Sequence, residues 1–329
     1  MALLSCLDSF FKDIGVHPPQ NKFSSDNAVE VMPVPSKVMI PLQQHVGAPA
    51  EPLVQEGQDV QEGQVIGTSD AFISAVITSS VKGKVTEIKD HPTPVGTKTK
   101  TVFIDTDQDY YSSRDPDDDL PQDHDVQDMV FPSAYKDIDA SRYSREDIIE
   151  KIKDAGIVGM GGAMFPTHVK LSPPPGKKID TVILNGAECE PYLTCDHRLM
   201  LEATPHIISA LELIMVAVGA KRGIIAIEDN KPDAIQAFRD LLKNAKNQKH
   251  SSKHKDSVAK SDISVFPLKT CYPQGAEKTL IRNCLKREVP TAKLPLDVGV
   301  VVSKVATGYS IYYARAHGQQ SSSRILTVS

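Results

Sequence analysis

The sequence predicts an α/β domain built on a mainly parallel sheet with flanking helices, preceded by a small all-β sandwich. Three observations point there. Between residues 37 and 89 glycines recur at 47, 57, 63, 67 and 83 and separate short apolar runs, which marks short strands joined by tight turns. From Ser144 onward strand-like apolar runs alternate with stretches of helical period, the pattern of a parallel sheet covered by helices. Between these regions, ten aspartates fall within residues 105–128, a composition too charged to bury a core.

The elements follow in order. Residues 1–30 form an N-terminal arm that runs into Val31-Met32-Pro33-Val34-Pro35, where proline sterics favour extended chain. Residues 31–104 hold the all-β unit, with strands such as Lys37-Val38-Met39-Ile40 and Lys84-Val85-Thr86-Glu87-Ile88. Its quasi-repeat, Val54-Gln55-Glu56-Gly57-Gln58-Asp59 then Val60-Gln61-Glu62-Gly63-Gln64, resembles the barrel-sandwich fold of biotinyl and lipoyl carriers. The carrier lysine is missing: the matching turn, Ala71-Phe72-Ile73-Ser74-Ala75-Val76, offers none, so a structural or docking role is expected. Residues 105–143 read as an acidic linker, without the ligand spacing of a calcium loop.

Residues 144–329 form the α/β domain. Ser144 with Asp147 makes a capping box for a helix ending at Gly156. Strand-like runs start at Thr181, Gly223, Asp262 and Val298; helices are expected from Thr204, as N-cap, to Gly219, over 232–246, over 275–286, and through Ile311. The Lys-, His- and Ser-rich residues 243–260 read as a solvated insertion.

Composition excludes several functions. A net charge of −5 gives no general attraction to nucleic acid, and no window approaches the roughly 18–20 apolar residues of a bilayer span. The five cysteines form no CxxC pair, no metal site is expected, and no signal peptide is read at the start, so a reducing cytoplasm is the expected compartment.

Three segments carry chemistry. In Gly159-Met160-Gly161-Gly162-Ala163-Met164-Phe165-Pro166-Thr167-His168-Val169-Lys170, glycines let backbone N–H groups approach an anion and Lys170 adds a charge for a phosphate. It follows a helix rather than a strand and lacks Gly-Lys-Ser/Thr, so it is neither a dinucleotide fingerprint nor a Walker loop. In Asn185-Gly186-Ala187-Glu188-Cys189-Glu190, the carboxylates suit ribose or ribityl hydroxyls and Asn185 suits a heterocycle edge. Tyr272-Pro273-Gln274-Gly275-Ala276-Glu277-Lys278 opens a helix whose N-terminus favours an anionic ring or phosphate; Glu277 either steadies that terminus or acts in catalysis.

Together, and with Gly15-Val16-His17-Pro18-Pro19 ahead of the sandwich, these segments resemble the C subunit of the Rnf electron transport complex, an ion-translocating ferredoxin:NAD oxidoreductase. The flavin subunit of respiratory NADH dehydrogenase and the corrin reductase of propanediol utilisation share the core. The resemblance implies non-covalent FMN on Gly159, Gly161, Gly162, Ala163, Lys170, Asn185, Ala187, Glu188, Gly275, Ala276, Glu277 and Thr307, with Glu277 as catalytic residue. It implies NADH on Phe165, Lys170 and Glu190. It also implies partner subunits of a membrane electron-transport complex, NAD(H) as the small-molecule partner, and a peripheral place on the cytoplasmic side of the cell membrane. Iron–sulfur clusters belong to the family, but their β-grasp and cysteine-rich segments are not in this sequence, which is expected to be a fragment or a shortened relative. A second departure is Ser303-Lys304-Val305-Ala306-Thr307, where the family carries Asn-Val-Gly-Thr; Lys304 there either lowers FMN affinity or pairs with its phosphate. The alternatives are a non-catalytic docking scaffold of that complex and a cobalamin-reductase-like NADH flavoprotein.

Overall fold

The computed structural model describes residues 15–93, 96–113, 135–251, 262–318 and 324–328. The strands of the first unit are β1 (Lys37–Pro41), β2 (Glu51–Pro52), β3 (Asp59–Val60), β4 (Val65–Thr68), β5 (Ile77–Thr78), β6 (Gly83–Pro92) and β7 (Lys98–Thr106). They pair antiparallel into two sheets, β1-β7-β6-β3 and β2-β4-β5. Alternation along the strands turns Ile40, Val60, Ile66, Val85, Val102 and Ile104 inward to a shared core. Strand β7 runs past the expected boundary at 104, and α1 (Gln108–Ser113) folds back on the sandwich. The cause is Tyr111, which packs on that core, accepts from the Lys82 N–H at 2.8 Å and donates to Glu62.

The other end of the expected linker is also folded. Ile138 and Ala140 are buried in the α/β core, and Asp139 caps a 3-10 turn at Ala140–Arg142. These two apolar residues anchor it together with Lys136, whose N–H donates to the Tyr312 hydroxyl, while residues 114–134 lie outside the described residues. Next, α2 (Arg145–Asp154) begins with the capping box of Ser144 and Asp147. At its end Gly156 has φ +61°, and a Cβ there would lie 2.3 Å from the Val76 carbonyl oxygen, so only glycine lets the helix end meet the sandwich.

The remaining elements are α3 (Thr167–Lys170), β8 (Thr181–Gly186), α4 (Cys195–Glu202), α5 (Thr204–Val218), β9 (Arg222–Glu228), α6 (Pro232–Ser251), β10 (Asp262–Leu268), α7 (Glu277–Leu285), β11 (Val300–Lys304) and α8 (Val305–His317). The four strands are parallel in the order β10-β9-β8-β11. One face packs Val182, Leu184 and Ile225 against Ile207, Leu211, Ile214 and Tyr312; the other packs Ile183, Ile224 and Val302 against Leu280 and Ile281. Residues buried on both faces explain why these strands read as continuous apolar runs.

Thr204 does not cap its helix. Its hydroxyl donates to the Met200 carbonyl, Ala203 carries the break, and α4 and α5 meet at 93°. The helix α6 continues beyond 246 to Ser251, and residues 252–261, the rest of the expected insertion, lie outside the described residues. Among the described residues no single helix is long and apolar enough to cross a membrane; α5 is apolar because it is buried on nearly every side.

Candidate functional site

The chain leaves β8 for β9 and then β10 on one side, and returns to β11 on the other. Such a reversal leaves a crevice at the carboxyl ends of the two strands, here β8 and β11. Asn185 and Lys304 stand side by side there in register.

The glycine segment enters this crevice as a pinned loop. Gly159 N–H donates to the Phe165 carbonyl at 2.9 Å, Thr167 N–H to the Ile157 carbonyl at 2.9 Å, and Val158 bridges Pro166. The Thr307 hydroxyl, buried in the first turn of α8, accepts from the Met160 N–H at 2.9 Å. The loop's crest, Gly161 to Met164, is exposed. Gly161 has φ +80°, which favours glycine, and a Cβ on Gly162 would meet no atom within 4 Å.

The second and third segments close on that loop. Asn185 Nδ2 donates to the Gly275 carbonyl at 2.9 Å while its Oδ1 accepts from the Ala187 N–H at 3.0 Å. Lys170 Nζ lies 2.7 Å from Glu277 Oε1, joining the first segment to the third at an opening where both side chains are about one-third exposed. Lys304 Nζ donates to the Ala187 carbonyl at 2.9 Å and pairs with Asp196 Oδ2 at 2.6 Å, while its Cε lies 3.1 Å from the Cβ position of Gly161. Each segment therefore touches the other two, directly or through Lys304.

Lys304 is the N-cap of α8, at the positive end of the helix dipole, where a cation is unfavourable without a partner. Burial also opposes its charge, yet the adjacent Asp196 carboxylate outweighs both and holds the ammonium above the ordinary lysine range. Lys304 thus pairs with a carboxylate supplied by α4.

Glu188 is buried, and its carboxylate faces α4: Oε1 accepts from the Asp196 N–H at 2.9 Å and from the Cys195 thiol at 3.2 Å. Burial and the Glu188 and Asp196 carboxylates push the Cys195 thiol up to about 12, so it remains a donor rather than a thiolate ligand. Among the described residues no cluster of His, Cys, Asp and Glu is arranged to hold a metal. Glu190 is exposed and Phe165 half-buried at the rim; Ala187 is buried and Ala276 exposed.

Residues without a motif complete the site. Glu228 and Lys231 form a fully buried pair at 3.0 Å, and Glu228 Oε2 also accepts from the Glu188 N–H at 3.0 Å. Asp196 answers Lys304, and Lys22 of the arm donates to the Glu188 and Glu190 carbonyls of the second segment and to the Leu193 carbonyl just beyond it. Of these, Glu228 carries a sequence signal, a carboxylate closing the apolar run Ile224-Ile225-Ala226-Ile227, whereas Lys22 and Lys231 lie in polar stretches.

The chain is similar to several known proteins. The chain matches the family model for the RnfC barrel sandwich hybrid domain over residues 11–109 and that for the Nuo51 FMN-binding domain over 152–313. It is 41% identical over 316 residues to the C subunit of the proton-translocating ferredoxin:NAD(+) oxidoreductase complex of Clostridium ljungdahlii, covering 96% of this chain and 62% of that protein. It is 40% identical to the Na(+)-translocating counterpart of Acetobacterium woodii, covering 95% of this chain and 63% of that one. The chain therefore spans about three fifths of the length of these relatives. Among solved structures it resembles the H2-reduced NAD+-reducing [NiFe]-hydrogenase, with a TM-score of 0.49, 18% identity, and coverage of 64% of this chain and 39% of that one.

Proposed function

We propose that the chain is a member of the RnfC family, akin to the C subunits of ion-translocating ferredoxin:NAD oxidoreductase complexes, and that it binds FMN without a covalent bond and exchanges hydride with NAD(H). The observation that carries this reading is the convergence of three distant segments at the β8/β11 crevice, with an open glycine face above them.

The residues present suit such a cofactor. Gly162 leaves free space above the loop, as a flat ring lying on backbone requires, and the N-terminus of α8 offers a positive field to an anionic tail. In this reading Gly159, Gly161, Gly162 and Ala163 line the cofactor with backbone, and Gly275 and Ala276 face it from the third segment. Asn185 and Thr307 hold those walls in place, while Ala187 and Glu188 set the floor. The cofactor, when bound, supplies the conversion between a two-electron hydride and single electrons. Lys170 and Glu277 stand at the opening, where Lys170 faces anionic groups and the Glu277 carboxylate is the group that can hold a proton. Phe165 and Glu190 at the rim receive the adenine and the ribose hydroxyls of NADH. The protein's own contribution is to hold two rings against each other and keep water out. Membership of an ion-translocating complex is proposed by analogy with the named relatives; a peripheral place on the cytoplasmic side of the membrane and electron transfer to iron–sulfur partners complete the proposal.

The test is reconstitution. Purified chain mixed with FMN should retain one flavin per chain through gel filtration, and anaerobic NADH should bleach its long-wavelength absorbance. Retention of no flavin would overturn the reading and favour a docking scaffold.

A further inference from the structure

The loop formed by residues 188–193, which carries Glu190, is irregular, and one of its residues, Tyr192, sits at φ +70°, where β-carbon side chains are strained. Its carbonyls at Glu188, Glu190 and Leu193 converge on a single point. Three carbonyl dipoles aimed together repel unless a cation sits between them, and that cation is the ammonium of Lys22, which donates to them at 2.8, 2.8 and 2.7 Å. The rest of the arm is fastened on either side. Tyr192 N–H donates to the Gln20 carbonyl at 2.9 Å, and the Ser24 and Thr194 hydroxyls lie 2.8 Å apart. Val16 exchanges two backbone hydrogen bonds with Tyr272, at 2.9 and 2.8 Å, so the same arm reaches the third segment. Beside Lys22 lies a cavity of 310 Å³ bordered by Ser25, Leu193, His197 and Asn230, so on that side the loop rests on the arm rather than on packed apolar side chains.

We propose that residues 16–25 act as a strap over the site and that Lys22 is its positioning residue, fixing the loop that carries Glu190 and thereby the affinity for the dinucleotide rather than for the flavin, because Glu188 is held independently by Glu228 and by the N-terminus of α4. The affinity part rests on the function proposed above; the strap part does not. Lys22 contacts no reacting atom in this scheme, and its effect passes through the three carbonyls.

The experiment compares native chain, Lys22→Met and Lys22→Arg by hydrogen–deuterium exchange without cofactor, and then by flavin and NADH titration. Lys22→Met should speed exchange in peptides covering 188–193 on the order of tenfold, as expected for the loss of charge-assisted bonds, with β8 and β9 unchanged. In flavin-loaded protein it should raise the Michaelis constant for NADH on the order of tenfold while the FMN dissociation constant stays within about twofold. Lys22→Arg, which keeps charge and donors, should recover most of both effects. Unchanged exchange at 188–193 in Lys22→Met, or exchange faster throughout the chain, would overturn the strap. Equal loss of FMN and NADH affinity would overturn the positioning role. A native chain that takes up no FMN would defeat the functional reading alone, because the exchange result still decides the strap.

Discussion

Lys304 shows how a single residue can be noticed in a sequence and yet not understood there. Its charge, at a position where the family carries none, was legible, but its partner was not, because Asp196 lies 108 positions away and comes close only when α4 folds back over β8. The side chains of this pair are 18% and 11% exposed, so removing one partner leaves a largely buried charge. Lys304→Met should cost about 3 kcal/mol in urea unfolding, and Asp196→Asn added to it should recover part of that loss. Equal unfolding midpoints for Lys304→Met and native protein would mean that the pair is not formed in solution. Glu188 teaches a similar lesson: its place after β8 was legible, whereas the turn of its carboxylate toward the N-terminus of α4 was not. At the opening, Lys170→Ala should weaken FMN retention, whereas Glu190→Ala should mainly raise the Michaelis constant for NADH. Equal flavin loss from both would show the two roles to be wrongly divided.

At the scale of elements, the alternation of strands and helices was legible because both faces of the parallel sheet are buried and its strands carry unbroken apolar runs. Ends were less so. The sequence around Thr204 carries cap-like residues, but tertiary packing of α4 against α5 turned the hydroxyl toward Met200 instead. The glycine loop permits a sharp separation of folding from binding. A side chain at Gly162 points into open space, so Gly162→Leu should change stability by no more than about 0.5 kcal/mol. The same variant should lose flavin uptake, which a fluorescence titration reads directly; full uptake would mean that no ring lies on that face. A second element-scale prediction concerns the turn at residues 71–76, read from sequence only as a carrier turn without its lysine. In the fold it meets the glycine loop's neighbourhood: His45 accepts from the Ala75 N–H, and the ring of His168, in α3, bonds to the Phe72 backbone. Burial depresses both histidines below the ordinary imidazole range. The unfolded chain therefore binds more protons, and stability from this junction is complete above about pH 6.5 and falls as pH drops through the folded values. Thermal midpoints measured from pH 7.5 to 5 should decline, and the decline should flatten in the His45→Gln, His168→Gln double variant.

For the whole molecule, composition and period gave the succession of an all-β unit and an α/β unit, but not which strands would be neighbours. The order β10-β9-β8-β11 decides the location of the crevice, and nothing local encodes it, since it depends on the chain crossing back past β8 after β10. The arm illustrates the same limit. Residues 16–25 carry little periodic pattern, and their order comes from contacts more than 160 positions distant in sequence. The three chemical segments were legible one by one as glycine-rich, carboxylate-bearing and helix-opening stretches, while their meeting is a property of the complete fold. The most direct measurement is an experimental structure of the chain saturated with FMN. The isoalloxazine should lie against Gly161 and Gly162 with Ala187 beneath and Gly275 beside it; a flavin bound elsewhere, with that face empty, would contradict the shared pocket.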